Sequence, residues 1–224
     1  MNYNHYCFRC SMLPTLMTNS RSKDELSETT KDKLREIWIE EEYGRVKEVS
    51  NKFTEKGIVC EDESITLLNT VKGKSLTKNI VELGNEYFTG TPDLIDGEIW
   101  DIKTSWDIWT FMKSTENAAN KSYAYQILGY LDLTGLRTGH IAYCLVDTPP
   151  IFIRDETYKL SFTMTEESKE FKEKEAQIKK NMTFADIPKE KRVKVYDFTY
   201  DETLIKEVKE RVIKWRNYLN SLSL

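Results

Sequence analysis

Two aspartates and a lysine lie close together in the segment from Gly90 to Lys103. Asp93 follows a proline, and Asp101 begins the tripeptide that ends at Lys103. Because side chains two apart on a strand share a face, Asp101 and Lys103 point the same way if the segment is extended. Carboxylate oxygens suit Mg²⁺ and Mn²⁺, ions that activate water and neutralise a phosphate under attack. The segment therefore predicts a metal site suited to attack on a phosphate, against the alternative of a surface ion pair that contributes little.

The turn between the two predicted strands decides whether Asp93 reaches the same ion. A two-residue loop, 96–97, would turn Asp93 away from Asp101. A three-residue loop, 95–97, pairs Asp93 with Ile99 and puts it on the Asp101 face, with a glycine in the left-handed position of the bulge. We therefore predict a bulged three-residue turn.

Glu61 is a further candidate ligand, on a helix predicted before the hairpin. It falls in a helical row with Ile58, Ile65 and Leu68. A carboxylate buried in such a row needs a cation or a hydrogen-bond donor. The alternative interpretation is a glutamate at the helix edge with its carboxylate in solvent.

Gln126 and Tyr130 follow the hairpin and are four residues apart. On the helix predicted from Ser122 to Leu133 they lie one above the other, beside the apolar row. By itself this pair is weak evidence, because ordinary packing also produces it. Its position behind the Asp-Ile-Lys strand gives it weight.

The remaining pattern predicts an α/β (α+β) protein with a central mixed β-sheet flanked by helices. The helix that Ser27 begins has its packed face at Leu34, Ile37, Trp38, Tyr43 and Val46. Other helices are predicted at 57–71, 122–133, 165–180 and 201–219. Strands are predicted at 80–83, 86–89, 91–95, 98–104, 140–146 and 193–199.

Composition describes a globular protein, with 39% hydrophobic and 31% charged residues in 224. We expect one domain, 1–224, and a cytoplasmic location, since the first residues lack a secretory pattern and no apolar run is long enough for a membrane span. The net charge of −4 is unusual for a nucleic-acid enzyme, although a bound metal neutralises its own carboxylate ligands.

Cysteine and histidine chemistry has little support. The four cysteines are interpreted as reduced thiols, with Cys60 and Cys144 buried. The two histidines are isolated, and His140 is interpreted as a core residue, which disfavours histidine-based hydrolases and zinc deaminases. Of the aromatic residues Trp106, Trp109 and Phe111, we expect at least one in the core, and the others could stack on an unpaired base.

Taken together, the Pro-Asp pair, the Asp-Ile-Lys tripeptide, the helical Glu61 and the later Gln126 and Tyr130 resemble the motifs of the PD-(D/E)xK nuclease superfamily. Gly57 and Glu61 match the helical Gly-x-x-x-Glu of its λ-exonuclease-like members. The order of the motifs, over about 9–146, is similar to that of phage λ-exonuclease and YqaJ-type viral recombination nucleases. The resemblance implies a restriction-endonuclease-like core.

The resemblance also implies roles for the site residues in a metal-dependent deoxyribonuclease. One or two Mg²⁺ or Mn²⁺ ions would be held by Glu61, Asp93, Asp101 and the backbone carbonyl of Ile102. Lys103 would position or deprotonate the attacking water, or stabilise the charged phosphate. Since neighbouring carboxylates favour a charged lysine, positioning and electrostatic stabilisation are preferred. Gln126 would order the site, and Tyr130 would approach the DNA backbone.

The expected substrate is the end of double-stranded DNA, degraded one strand at a time in phage or prophage recombination within a bacterial host. The family often forms a trimeric ring, and a single-strand annealing protein is an expected partner. Arg9 and Ser11 match the N-terminal segment that meets a terminal phosphate, a role that suits arginine, although such an arginine is often simply solvated. Related nucleases with an iron–sulfur cluster carry several cysteines after the last motif, where this chain has Cys144 alone, so no cluster is expected.

Two other functions remain open. A restriction-type endonuclease on the same fold usually needs extra specificity elements, and the sequence contains no evident inserted domain. A catalytically inactive, nuclease-like DNA-binding protein would be indicated by lost site residues, but Glu61, Asp93, Asp101 and Lys103 are all present.

Overall fold

The computed structural model describes residues 2–22, 25–47, 51–114 and 122–224. The helices are α1 (Leu13–Leu16), α2 (Glu28–Tyr43), α3 (Lys52–Val59), α4 (Glu61–Lys72), α5 (Ile108–Met112), α6 (Ser122–Thr134), α7 (Pro150–Ser161), α8 (Lys169–Met182) and α9 (Glu202–Ser221). The strands are β1 (Phe8–Arg9), β2 (Leu83–Gly84), β3 (Phe88–Gly90), β4 (Leu94–Ile95), β5 (Ile99–Thr104), β6 (Thr138–Cys144) and β7 (Val193–Thr199). Short 3₁₀ turns occupy Cys10–Met12 and Lys189–Lys191.

The larger sheet has four strands in the order β4–β5–β6–β7. β5 and β6 run parallel, whereas β4 and β7 are antiparallel to their neighbours. A parallel pair needs a crossover connection, and the described part of this one contains α5 and α6. In the smaller sheet, β1–β3–β2, the N-terminal strand runs parallel to β3. The predicted mixed α/β fold is confirmed.

β5 separates two apolar layers because its side chains alternate between the faces of the sheet. Ile99 packs in a cluster with α6, α9 and the N-terminal segment. Trp100 and Ile102 pack on the opposite face in a second cluster with α4. Asp101, between Trp100 and Ile102 in sequence, therefore lies on the face toward α6.

α6 lies close to both sheets because two glycines leave room for it. A Cβ on Gly139 of β6 would lie 2.5 Å from Ile127 Cγ2, and one on Gly90 of β3 would lie 2.7 Å from Tyr130 Cε1. Any larger residue at either position would push the helix away. These contacts set the depth at which the polar side chains of α6 lie.

Two predicted helix starts are confirmed, but one predicted packed face is too long. Ser27 and Asp201 cap the starts of α2 and α9 with their side-chain oxygens. The expected packing of Tyr43 and Val46 is wrong, because both side chains are exposed. Gly44 follows α2 in the left-handed conformation, with φ of 62°, and ends the helix before Val46.

The predicted continuous helix over 57–71 is also wrong. The backbone changes direction at Cys60, with φ of −101° and ψ of 16°, and this residue separates α3 from α4. Ile58 is consequently 71% exposed and does not lie in an apolar row with Leu68. The acidic run 61–63 forms the first turn of α4, where the positive end of the helix dipole favours negative charge.

α7 is a helix that the sequence pattern did not indicate. Pro149 and Pro150 indicated only the end of the preceding strand. Pro150 is the first residue of α7, a position that suits proline because its N–H would be unpaired there anyway. None of the α7 side chains is fully buried, so no apolar row signalled the helix. Among the described helices, none is long and apolar enough to cross a bilayer.

Candidate active site

The β4–β5 hairpin places two carboxylates on one face. Ile95 pairs with Ile99, so the loop is 96–98. The predicted three-residue length is right, but the predicted loop began one residue too early. Continuing the observed register sets Asp93 opposite Asp101, two positions from the predicted partner, which leaves it on the predicted face. The glycine of the loop has a φ of 65°, as expected for its left-handed position.

Asp93 is held by the backbone of the neighbouring strand. Its Oδ2 accepts a hydrogen bond from Ile102 N at 2.6 Å. Because the N–H and C=O of a strand residue point to the same edge, the carbonyl of Ile102 is also directed toward this side. Burial, with the nearby Asp101 carboxylate, raises the pKa of Asp93 to about 7. Two carboxylates and a carbonyl oxygen therefore lie together in a partly desolvated site.

Asp101 and Lys103 form an ion pair inside the same site. Asp101 is only 2% exposed, and its Oδ2 lies 2.8 Å from Lys103 Nζ. Burial acts to lower the pKa of Lys103, but the Asp101 carboxylate outweighs it, so the pKa is raised. Lys103 is therefore a cation at neutral pH, which agrees with the role expected from its acidic neighbours.

Gln126 fixes the second oxygen of the Asp101 carboxylate. Its Nε2 donates to Asp101 Oδ1 at 2.9 Å and to Tyr130 OH at 3.1 Å. Tyr130 is buried, and burial raises the pKa of its phenol, which stays protonated. In this geometry Tyr130 positions Gln126, and its expected approach to DNA stays a prediction.

Glu61 reaches the site from the first residue of α4. Its side chain is partly exposed, and Oε2 lies 2.6 Å from Lys78 Nζ. Of the predicted apolar row, Ile65 and Leu68 of α4 are buried, but Ile58 lies before the helix break and is exposed. Glu61 itself is partly buried, and its carboxylate is paired with a lysine. It nevertheless lines the same cavity as Asp93 and Asp101.

These side chains line a cavity of about 570 Å³ at the end of β5. α3 forms one wall, and the segment after β5 forms another. The lining residues are Phe53, Thr54, Gly57, Ile58, Glu61, Asp93, Asp101, Ile102, Lys103, Thr104, Ser105, Trp106, Thr110, Tyr123, Gln126 and Tyr143. The cavity combines acidic oxygens, one ammonium group and an apolar rim.

The donor set fits a small divalent cation. Within the described residues no group of three Asp, Glu, His or Cys side chains is arranged to hold a metal, and Glu61 faces Lys78 instead. Mg²⁺ is, however, commonly bound through one or two carboxylates and keeps several waters. Asp93 and Asp101 provide such a pair. Burial is the main cause of the raised pKa of Asp93, and the Asp101 charge adds to it; a bound cation would offset both effects.

Arg9 and Ser11 are not brought into this cavity. Arg9 lies on β1 with its side chain 61% exposed, and its Nη2 is 3.9 Å from Glu40 Oε1. Ser11 is exposed in the 3₁₀ turn that follows. The exposure of Arg9 leaves it able to meet a phosphate, and that role stays a prediction.

The aromatic residues after β5 divide between core and surface. Phe111 is buried in the main apolar cluster, as expected for at least one of them. Trp106 is buried but lines the cavity, whereas Trp109 is exposed. Phe53 of α3 lies edge-on to Trp106, with ring centroids 5.4 Å apart, and no sequence pattern indicated its place at the cavity.

His140 is buried as expected, but it is more than a packing residue. Its Nδ1 lies 2.8 Å from Asp197 Oδ1 and its Nε2 lies 3.2 Å from Glu98 Oε2. The ring stacks on Trp100 at 4.0 Å. Trp100 faces away from the candidate site, so this group belongs to the opposite layer.

Replacing Glu61 by glutamine is expected to weaken Mg²⁺ binding about 10-fold, the size of effect typical of residues that support a metal site. The thermal midpoint of the metal-free protein should change little, because Glu61 lies at a partly exposed helix start and not in an apolar face. Asp62→Asn is the matched control, since Asp62 is exposed in the same helical turn. Calorimetric titration measures the Mg²⁺ affinity of both variants, and equal affinities would show that Glu61 is not part of the site.

No family model matches the chain, and no curated protein matches it. Among solved structures it is similar to a phage-related exonuclease from Haemophilus somnus 129PT, with 26% identity and a TM-score of 0.78 over 96% of this chain and 94% of that one. It is also similar to LHK-Exo, an alkaline exonuclease from Laribacter hongkongensis, with 13% identity and a TM-score of 0.65 over 97% and 90% of the two chains. LHK-Exo in complex with dAMP gives 15% identity and a TM-score of 0.64 over the same shares.

These similarities extend over nearly the whole chain. The fold is that of phage-related and alkaline exonucleases. The predicted resemblance to λ-exonuclease-like recombination nucleases is confirmed.

Proposed function

We propose that this protein is a DNA exonuclease that requires a divalent metal ion and degrades duplex DNA from its ends. The observation that carries the proposal is the similarity to a phage-related exonuclease over 96% of the chain at 26% identity. The convergence of Asp93, Asp101 and Lys103 in one cavity supports it. The two LHK-Exo structures, at lower identity, support the fold alone.

Asp93 and Asp101 would hold the metal ion together with the carbonyl oxygen of Ile102. Glu61 would join them if its carboxylate turned from Lys78 toward the cavity. A bound Mg²⁺ or Mn²⁺ supplies charge neutralisation at the phosphate and a water of lowered pKa. One or two such ions would bind.

Lys103 would act on the phosphate by its charge. Its ammonium lies beside Asp101 and lines the cavity, and its raised pKa keeps it protonated. A protonated lysine cannot accept a proton from water, so it would orient the water or stabilise the charge that develops on the phosphate. Gln126 would keep the Asp101 carboxylate in position through Oδ1, with Tyr130 behind it.

The wider context is proposed from the resemblance. We infer one catalytic domain, 1–224, in a phage- or prophage-encoded enzyme that acts in the cytoplasm of a bacterial host. A trimeric ring and a single-strand annealing partner would suit such an enzyme. Arg9 and Ser11 would approach the terminal phosphate of the DNA.

The proposal predicts that DNA ends are required. With Mg²⁺ or Mn²⁺, a linear duplex should be degraded progressively from its ends, whereas a covalently closed circle should survive. The physical reason is that, among the described residues, those lining the cavity provide charges suited to a phosphate and include no evident element for reading base edges. Gel analysis of the two substrates, with EDTA and the Asp101→Asn variant as controls, measures the difference.

The alternative functions predict other outcomes. Cutting of the closed circle into discrete fragments would contradict the exonuclease and support a restriction-type endonuclease. DNA binding without hydrolysis of either substrate, at any Mg²⁺ or Mn²⁺ concentration, would support an inactive nuclease-like protein.

A further inference from the structure

Lys56 of α3 has no exposed surface, although lysine is rarely fully buried. Its Nζ donates to the carbonyl oxygens of Ser105 and Trp106, each at 2.9 Å, and to that of Val146 at 3.0 Å. Ser105 and Trp106 follow β5, and Val146 lies just beyond the end of β6. One side chain therefore joins a helix to the ends of two parallel strands.

The three acceptors match the three N–H groups of an ammonium. Burial lowers the pKa of Lys56 to about 8, while Cys60, Asp107 and Asp147 act to raise it, so the side chain is mostly charged at pH 7. Trp106 and Phe184 present their rings to the ammonium at 5.9 Å and 5.6 Å. An apolar side chain could fill the same space but would leave three carbonyl oxygens without a donor.

The segments that Lys56 joins are two walls of the candidate active-site cavity. Thr54 and Gly57, its neighbours on α3, line one wall, and Ser105 and Trp106 line another. The hydrogen bonds of Lys56 lie behind both walls. They therefore fix the separation of the walls without occupying the cavity.

Lys56 also lies at the start of the junction that leads to Glu61. Cys60 N donates to Lys56 O at 2.9 Å, and Glu61 then begins α4. A second link follows after Glu61, where Ser64 Oγ and Thr104 Oγ1 are 2.8 Å apart. Glu61 is thus bracketed by two links to the end of β5.

We propose that Lys56 is a positioning residue for the candidate metal site. Its three hydrogen bonds hold the α3–α4 junction against the ends of β5 and β6, and so hold Glu61 at the cavity that contains Asp93 and Asp101. This inference rests on the proposed function in one respect, that the cavity binds a divalent metal ion.

Lys56→Met is expected to raise the Mg²⁺ concentration for half-saturation about 10-fold, as loss of an outer support does at metal sites. The readouts are calorimetric Mg²⁺ binding and the Mg²⁺ dependence of linear-duplex degradation. At saturating Mg²⁺ the degradation rate should recover most of its wild-type value. A role in stability alone would lower the thermal midpoint without changing the Mg²⁺ requirement.

Lys52→Met is the matched control. Lys52 lies one turn earlier on α3, pairs with Glu156 at 3.2 Å, and also places its Nζ over Trp106, at 4.9 Å from the ring centre. It makes none of the three carbonyl contacts of Lys56 and does not line the cavity, so its loss should leave the Mg²⁺ requirement unchanged.

A folded Lys56→Met protein with wild-type Mg²⁺ affinity would overturn the inference. If that variant does not fold, Lys56→Gln replaces it in the same comparison. Its shorter side chain has two N–H donors for three carbonyls, so at least one contact is lost and the Mg²⁺ affinity should still fall; an unchanged affinity overturns the inference. Wild-type protein that binds Mg²⁺ but degrades no DNA would refute the proposed function, while the calorimetric comparison would still decide the role of Lys56.

Discussion

Lys103→Ala is expected to reduce the rate of DNA hydrolysis about 1,000-fold, within the range found when a positioned charge or proton-transfer group is removed. The ammonium of Lys103 is the cation that lies 2.8 Å from Asp101 inside the cavity. Its removal leaves the developing charge on the phosphate without that partner. Single-turnover degradation of a linear duplex at saturating Mg²⁺ measures the effect.

Asp101→Asn should cause a loss of similar size for a different reason. The amide keeps the shape of the side chain but removes one of the two buried carboxylates that would hold the metal. Asparagine can still accept the hydrogen bond from Gln126 at Oδ1, but its amide nitrogen, a donor, then faces the Lys103 ammonium in place of the carboxylate oxygen Oδ2. Circular dichroism should show that both variants fold, because each change leaves the apolar clusters intact.

Lys74→Ala provides the matched control for the loss of a lysine. Lys74 pairs with Glu98 at 3.6 Å and lies over Trp100, on the face of β5 opposite to the candidate site. Its removal should leave the rate near that of the wild type. Comparable hydrolysis rates for Lys103→Ala and Lys74→Ala would show that Lys103 takes no part in the reaction.

The shared face of Asp101 and Lys103 could be predicted because it depends on strand periodicity alone, whereas the position of Asp93 depends also on the length of the turn. Side chains two residues apart on β5 lie on the same face of the sheet, whatever the surrounding fold. The exact turn could not be predicted, because Ile95 pairs with Ile99 only once the apolar side chains of both strands are packed. The error of one loop position was harmless since it preserved the parity of the register.

Glu61 shows where periodicity fails. A single helix through Ile58 and Leu68 fits the apolar spacing, but the helix breaks at Cys60, close to contacts with residues distant in sequence. Lys56 makes those contacts with carbonyl groups, and nothing in a sequence marks which carbonyls will be free. Its buried position in an amphipathic helix therefore had no signal.

Asp93→Asn is expected to stabilise the metal-free protein at pH 8 and to change its stability little at pH 4. In the folded protein burial and Asp101 raise the pKa of Asp93 from 3.8 to about 7. The folded state thus binds more protons than the unfolded state between these values. The stability that protonated Asp93 allows is fully present below about pH 4 and is lost as the pH rises through 7.

The size of the destabilisation at pH 8 follows from the increase in the pKa of Asp93. At about 1.4 kcal/mol for each pKa unit, the destabilisation at pH 8 is at most about 4 kcal/mol. Asparagine keeps an oxygen to accept the hydrogen bond from Ile102 N and carries no charge, so it should recover part of that amount. For a chain of this size the gain corresponds to an increase of about 5–10 °C in the thermal midpoint.

At pH 8, Mg²⁺ should make the wild type more stable than Asp93→Asn, the reverse of the order expected in EDTA. In the wild type a bound cation neutralises Asp93 and Asp101, so millimolar Mg²⁺ should raise the thermal midpoint at pH 8 and raise it less at pH 5, where protons compete for Asp93. Asp93→Asn should gain little from Mg²⁺ at either pH. Asp96→Asn, in the exposed turn, should behave as the wild type does in both buffers. Thermal unfolding with EDTA and with Mg²⁺ measures these differences. An Asp93→Asn variant that is less stable than the wild type in EDTA at pH 8 would show that a charged Asp93 does not destabilise the folded protein.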